Sequence, residues 1–291
     1  LDPRLEQVSI PPGRSFLWRK DDYPWRRAVW NCHPEVEIHL IRNASGLAYV
    51  GDHICRFESG HLAVVGSNLP HNWVTPNLDG AMIAERDIVV QFDPATLRAA
   101  CAVFPEFRAI PPFLDRAARG LEILGKTAER ARQCLEQMGR LAPGEATTSL
   151  LQLLLSLAET EEYRYLASQQ FVDSLRHGDD RQRGQIDRAL QFIQDNFLDR
   201  PSLADVARLV GMSDSAFSRF FTRCTGNSFT DHLISLRIFT AQRFLTDSSH
   251  SVTDICYLAG FNNIANFNRT FLRTTGMSPS AYRRAARNRS L

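Results

Sequence analysis

The sequence predicts an α+β chain: a small all-β part first, then a helical segment, then an all-α part carrying two helix-turn-helix motifs. Three observations predict this. Residues 202–282 write one small helical unit twice. Residues 1–93 consist of short alternating or apolar runs punctuated by Pro and Gly. Residues 94–176 carry apolar residues at helical spacing.

The repeat comes first because a duplicated unit constrains the architecture most. Ser202-Leu203-Ala204-Asp205 is answered by Ser251-Val252-Thr253-Asp254, a shift of 49. Leu209-Val210-Gly211 is answered by Leu258-Ala259-Gly260 at the same shift. One extra residue then enters. Phe217, Arg219, Phe221 and Arg223 are answered by Phe267, Arg269, Phe271 and Arg273 at a shift of 50. Each Ser-x-x-Asp is a capping box, in which the hydroxyl takes an orphan N–H and the carboxylate reaches back. Gly211 and Gly260 stand where a helix ends in a left-handed residue. Ser213 and Asn262 are read as caps of the second helices. The Phe pairs at i,i+4 anchor those helices, leaving the arginines outward. Helix, glycine turn, helix is the motif whose second helix enters a DNA major groove. The competing reading is a helical hairpin repeat used as a scaffold.

Charge separates the two ends. Residues 181–291 hold 15 Arg, no Lys and 8 Asp, a net of +7, against +2 for the whole chain, so residues 1–180 carry −5. That asymmetry points to a polyanion partner for one part only. Arginine without lysine suits bidentate contacts to phosphate or guanine.

The segment Gln185–Arg284 resembles the DNA-binding domain of the AraC/XylS family of bacterial transcription regulators. The residues that carry the resemblance are Gly260-Phe261-Asn262-Asn263, Phe267-Asn268-Arg269-Thr270-Phe271, Thr275-Gly276-Met277-Ser278-Pro279 and Tyr282-Arg283-Arg284. It implies two motifs held on one connecting helix, here from about Ser228 to Leu245, with Ile234, Ile238, Ala241 and Leu245 as its apolar stripe. It also implies the groove-facing residues: Ser215, Ser218 and Arg219 from the first motif, and Ile264, Ala265, Asn268 and Arg269 from the second. Double-stranded promoter DNA, RNA polymerase and a second copy of the chain are the partners it implies.

Candidate strands in the first part are Val36–Ile41, Gly46–Val50, His53–Phe57, Leu62–Val65 and Ala81–Phe92. Closely spaced strands without intervening helices suggest a sandwich or small barrel. His33, Glu35, Glu37 and His39 recur at period two and so share one strand face, opposite Val36, Ile38 and Leu40. With His71 and Trp73 they resemble the cupin barrel that many members of the same family carry as a sensor. The resemblance places His33, Glu37 and His71 inside the barrel. Asn31 stands where cupin enzymes have a first histidine. Three readings remain open for His33, Glu37, His39, His71 and Trp73. They form a metal-free pocket for a small-molecule effector; or His33, Glu37 and His71 hold a divalent metal; or the cluster only satisfies itself. No cofactor is expected, and the chain is read as a regulator rather than an enzyme. The alternative is a metal-dependent cupin enzyme fused to a DNA-binding domain.

The expected domains are a cupin-like barrel over 1–93, a helical packing or dimerisation segment over 94–176, a linker over 177–184 within the polar stretch Asp173–Gly184, and the DNA-binding domain over 185–291. Expected helices in the middle segment are Ala95–Phe104, Pro112–Arg119, Gly125–Leu141 and Ala146–Leu166. The last is apolar nearly all round and must be buried, in its own domain or against a second subunit. Hydrophobic content of 44% and charged content of 23% argue for an ordinary packed core rather than disorder. No apolar run reaches the roughly 20 residues of a membrane span. No leader pattern is visible, and the six cysteines lack CxxC spacing. Both favour a reducing, cytoplasmic setting.

Overall fold

The computed structural model describes residues 4–5, 8–24, 31–75, 82–177, 180–225 and 227–289. The chain divides into two compact units, Leu1–Gly184 and Gln185–Leu291. The first is mixed α/β and the second is helical.

Among the described residues the first unit opens with nine strands: β1 (Arg4–Leu5), β2 (Phe16–Tyr23), β3 (Asn31–Cys32), β4 (Val36–Ile41), β5 (Gly46–Val50), β6 (His53–Phe57), β7 (Leu62–Val65), β8 (His71–Val74) and β9 (Ile83–Phe92). Helices α1 (Pro94–Val103) and α2 (Ile110–Ala117) follow, then strand β10 (Leu121–Ile123), helices α3 (Gly125–Met138) and α4 (Pro143–Glu159), strand β11 (Tyr163–Tyr165) and helix α5 (Gln169–His177). The strands make two sheets. One is ordered β1-β3-β8-β5-β6 and the other β11-β10-β7-β4-β9-β2.

The alternation of β4 decides the layering. Val36, Ile38 and Leu40 face a large core that also takes Val64, Val90, Phe113, Leu135 and Leu154 from neighbouring strands and helices. Ile41 joins a second core with Ala48, Val50, Val65 and Trp73. Glu37 and His39 lie on that inner face, among the polar groups between the sheets. Gly46 has to be glycine: a Cβ there would stand 2.1 Å from the Val74 carbonyl oxygen.

Several expectations change. The helix expected over Ala146–Leu166 stops at Glu159, and Tyr163–Tyr165 pairs with β10, which itself pairs with β7. The middle segment therefore completes a sheet as well as packing on it. Leu150, Leu153, Leu154 and Leu157 are buried in the unit's own core, with Leu151 and Leu155 packed against it. Strand β9 begins at Ile83; Ala81 lies outside the described residues. The polar stretch 173–184 is helical up to His177 and again from Asp180, because its Arg and Gln residues extend the next helix. Residues 178–179 of that stretch lie outside the described residues.

The second unit contains α6 (Asp180–Asn196), α7 (Leu203–Leu209), α8 (Asp214–Thr225), α9 (Phe229–Asp247), α10 (Val252–Leu258), α11 (Ile264–Thr275) and α12 (Pro279–Arg289). Both capping boxes form, with Ser202 and Asp205 at α7 and Ser251 and Asp254 at α10. Gly211 at φ +70° and Gly260 at φ +83° turn the chain into α8 and α11. Phe217, Phe221, Phe267 and Phe271 are fully buried. Ile238, Ala241 and Leu245 of α9 pack against Ile255, Ala259, Phe267 and Phe271. Asn262 does not cap α11. Asn263 does, its Oδ1 accepting from the backbone N–H of Ala265 at 2.8 Å. The extra residue of the second copy falls before the cap and moves that role along by one.

His232 of α9 is fully buried edge-on to Phe221, ring centroids 5.4 Å apart, and desolvation pushes its imidazole down to about 4. Its folded value lies below the unfolded one near 6.5, so the unfolded chain takes up the proton first as pH falls. The second unit should therefore lose up to about 3 kcal/mol between pH 6.5 and 4. Thermal unfolding followed on α9 amides should show that slope in the wild type and a flatter one in His232→Phe.

Candidate functional site

Two sets of residues stand out. The first is the outer faces of α8 and α11. Burial of the Phe pairs turns Ser215, Ser218 and Arg219 to solvent on α8, and Ala265, Asn268 and Arg269 on α11. Arg219 makes no hydrogen bond among the described residues. Arg269 donates from Nη2 to Asn266 Oδ1 over a long 3.4 Å. Ile264 differs from expectation: it is half-buried against the core beneath α11 and presents only an edge. Arg223 and Arg273, paired by the repeat, are also exposed on these helices, as is Asn266, which was missed in the sequence. The arginines were legible from the repeat; Asn266 was not, because its copy is Ala216.

The second set lies between the sheets of the first unit. Glu37 is its centre. His33 Nε2 lies 3.1 Å from Glu37 Oε2 and His39 Nδ1 2.7 Å from Oε1. Gln91 Nε2 donates to Oε2 at 2.7 Å, and His71 Nε2 stands 3.7 Å from Oε1. Trp73 stacks on His39 with ring centroids 3.9 Å apart. All five residues named from the sequence are thus brought together. His33 precedes β4 rather than belonging to it, and reaches Glu37 across the turn. Gln91, Asp87 and Arg86 were missed. Gln91 and Asp87 alternate along β9, a period-two signal open to the same reading as His39 and Glu37.

Electrostatics hold the cluster together. Burial alone would raise the Glu37 carboxyl, but the charge of His71 and hydrogen bonds from His33 and His39 hold it well below the usual range. Burial would lower His39; the carboxylates of Asp87 and Glu37 prevail and raise it to about 9. Arg86 is paired with Asp87 at 2.7 Å and donates to the Trp73 carbonyl at 3.0 Å.

The donor set has the chemistry for a divalent ion. His33 Nδ1 donates to the Glu35 carbonyl at 3.1 Å and His71 Nδ1 to the Leu69 carbonyl at 2.8 Å. Each ring therefore turns Nε2 towards Glu37, and the three donor atoms lie within 4.8 Å of one another. Two imidazoles anchored through their far nitrogens plus one carboxylate fit a first-row metal. Gln91 Nε2 also stands 3.2 Å from His33 Nε2, so an ion would have to displace that contact. Two buried nitrogens around Trp73 lack a hydrogen-bond partner among the described residues, Trp73 Nε1 and His61 Nε2. His39 Nε2 faces Asp87 Oδ1 at 3.5 Å.

A helix-turn-helix domain model matches residues 206–285, which lie within the second unit. The second unit is an AraC-type helix-turn-helix domain. An uncharacterised HTH-type transcriptional regulator of Staphylococcus aureus is 30% identical over 134 residues, 46% of this chain and 17% of the relative. The uncharacterised HTH-type regulator YobQ of Bacillus subtilis is 27% identical over 95 residues, 33% of this chain and 39% of the relative. The chain thus spans well under half the length of these relatives. Among solved structures, the DNA-binding domain of AdpA in complex with a target DNA is 30% identical, covering 36% of this chain and 95% of that one, at a TM-score of 0.35. ToxT from Vibrio cholerae is 10% identical, covering 93% of this chain and 98% of that one, also at 0.35. Among the described residues no helix is long and apolar enough to cross a membrane, and none of the six cysteines is in a disulfide.

Removing Glu37 strands the groups that converge on it. Glu37→Ala should destabilise the first unit by about 3–5 kcal/mol, because buried partners are left unpaired. Denaturant unfolding of the full chain measures this; a loss below about 1 kcal/mol would show that the cluster contributes little.

Proposed function

We propose that the chain is a sequence-specific DNA-binding transcription regulator whose two helix–glycine–helix units both read the major groove. One observation carries the reading: the same Phe packing presents an arginine at the same outward position of α8 and of α11. Ser215, Ser218 and Arg219 serve one groove face, and Ala265, Asn268 and Arg269 the next. Ile264 offers an apolar edge to a thymine methyl. Arg219 and Arg269 make the base contacts, bidentate to guanine and contributing about 1–3 kcal/mol of discrimination each. The charge of +7 over residues 181–291 supplies the phosphate attraction.

In this reading the first unit is a sensor of the cupin type. A small polar effector binds beside His33, Glu37, His39, His71 and Trp73. The unpartnered nitrogens around Trp73 support the reading, since buried polar atoms without partners mark places where a ligand or water completes the bonding. The effector acts by binding one arrangement of the two units better than the other. Pairing with a second copy and contact with RNA polymerase, in the bacterial cytoplasm, complete the proposal.

Binding of the full chain to a duplex selected from random DNA tests it. Arg269→Ala and Arg219→Ala should each weaken specific binding about 5- to 100-fold and relax preference at one position, with little change on random DNA. Equal loss on both DNAs would show that the side chains touch only phosphate. Calorimetry with candidate metabolites on wild type and His71→Ala tests the sensor, and unchanged affinity for an inducer would reject that site.

A further inference from the structure

A second recess lies outside the polar cluster. Elements α1, α2, α5 and the turn between β7 and β8 surround about 560 Å³, half-open to solvent. Its floor is apolar, formed by Leu69, Leu114, Val172 and Leu175, and its rim carries Asn68, Arg98 and Asp115. That volume lies within the range of small-molecule sites, roughly 300–1,000 Å³, and an apolar floor with a few polar groups is their usual lining.

The rim offers an incoming anion one cation, Arg98, which it shares with Asp115. Arg98 Nη2 donates to Asp115 Oδ1 at 2.5 Å, the one hydrogen bond of Arg98 among the described residues. The side chains remain 43% and 69% exposed, so the pair holds weakly, by about 0–1 kcal/mol. Most of the guanidinium fork is left for an incoming anion, which can take it in bidentate form. The wall of the recess is also the support of the cluster. Asn68, at φ +58°, donates its backbone N–H to the His33 carbonyl at 2.7 Å, and the Leu69 carbonyl accepts from His71 Nδ1 at 2.8 Å. Gly66 N–H donates to the Ala117 carbonyl at 2.8 Å, tying the same turn to α2. The turn that lines the recess is thus hydrogen-bonded to His33 and His71 of the cluster and to the end of α2.

We propose that this recess binds a small amphipathic carboxylate, its charged end on Arg98 and its apolar body on Leu69, Leu114 and Val172. The binding stands independently of the sensor reading; only its consequence for DNA rests on that reading.

Calorimetry of the full chain with 1-naphthoate tests the site. The expected result is one molecule per chain, a tenfold or greater loss of affinity in Arg98→Ala, and no measurable binding in Ala118→Trp, which fills the recess. Leu175→Trp fills it from the opposite wall should the first variant fail to fold. His71→Ala should retain binding. Absence of binding up to millimolar probe, equal binding by Ala118→Trp and Leu175→Trp, or equally tight binding of 1-naphthylmethylammonium would overturn the proposal. DNA affinity with and without 1-naphthoate is read separately. An unchanged DNA affinity with intact 1-naphthoate binding supports the site and rejects only its coupling to DNA binding.

Discussion

The burial of four phenylalanines governs the second unit. Phe217 and Phe221 on α8, and Phe267 and Phe271 on α11, are spaced one helical turn apart and fully removed from water. Burying a side chain of this size stabilises by about 1.5–3 kcal/mol, more than any surface contact of these helices. The packing therefore sets the rotation of each helix. Once the rotation is set, Arg219 and Arg269 face outward whatever their own preferences. Helix α9 meets both pairs, through Ile238, Ala241 and Leu245 beneath Phe267 and Phe271 and through Phe229 and His232 against Phe221, so one element positions α8 and α11.

The first unit is organised differently. Its two apolar cores come from alternation along β4, β7 and β9, and a band of charged and polar groups runs between them. Such a band is costly unless its members satisfy one another. Glu37 serves most of them: His33, His39 and Gln91 all bond to its two oxygens. The nitrogens left over cluster about Trp73. The cluster is thus complete around one carboxylate and incomplete around one indole, and the ligand of the proposed sensor would bind at the incomplete side.

Much of the second unit was legible in the sequence because its signals are local. Ser-x-x-Asp, a glycine and a Phe pair each act within a turn or two of helix, and duplication repeated the message. The cap of α11 was misplaced by one residue because the insertion sits where either Asn262 or Asn263 fits. The first unit was legible only in its strongly alternating strands. Strand β2 reads Phe-Leu-Trp-Arg-Lys-Asp-Asp-Tyr, which has no clean period, and depends on β9 for its conformation. Strands β8, β10 and β11 have three or four residues each and exist only because of their partners. His61 was missed because it stands just before β7, outside any strand, where no alternation marks it.

The proposed function requires α8 and α11 to read adjacent groove faces. Dimethyl sulfate probing of guanine N7 on a selected duplex measures this directly, because N7 lies in the major groove where an arginine would bond. Two groups of protected guanines about one helical turn apart, one lost in Arg219→Ala and the other in Arg269→Ala, are the predicted result. Full N7 reactivity in the bound complex would contradict it.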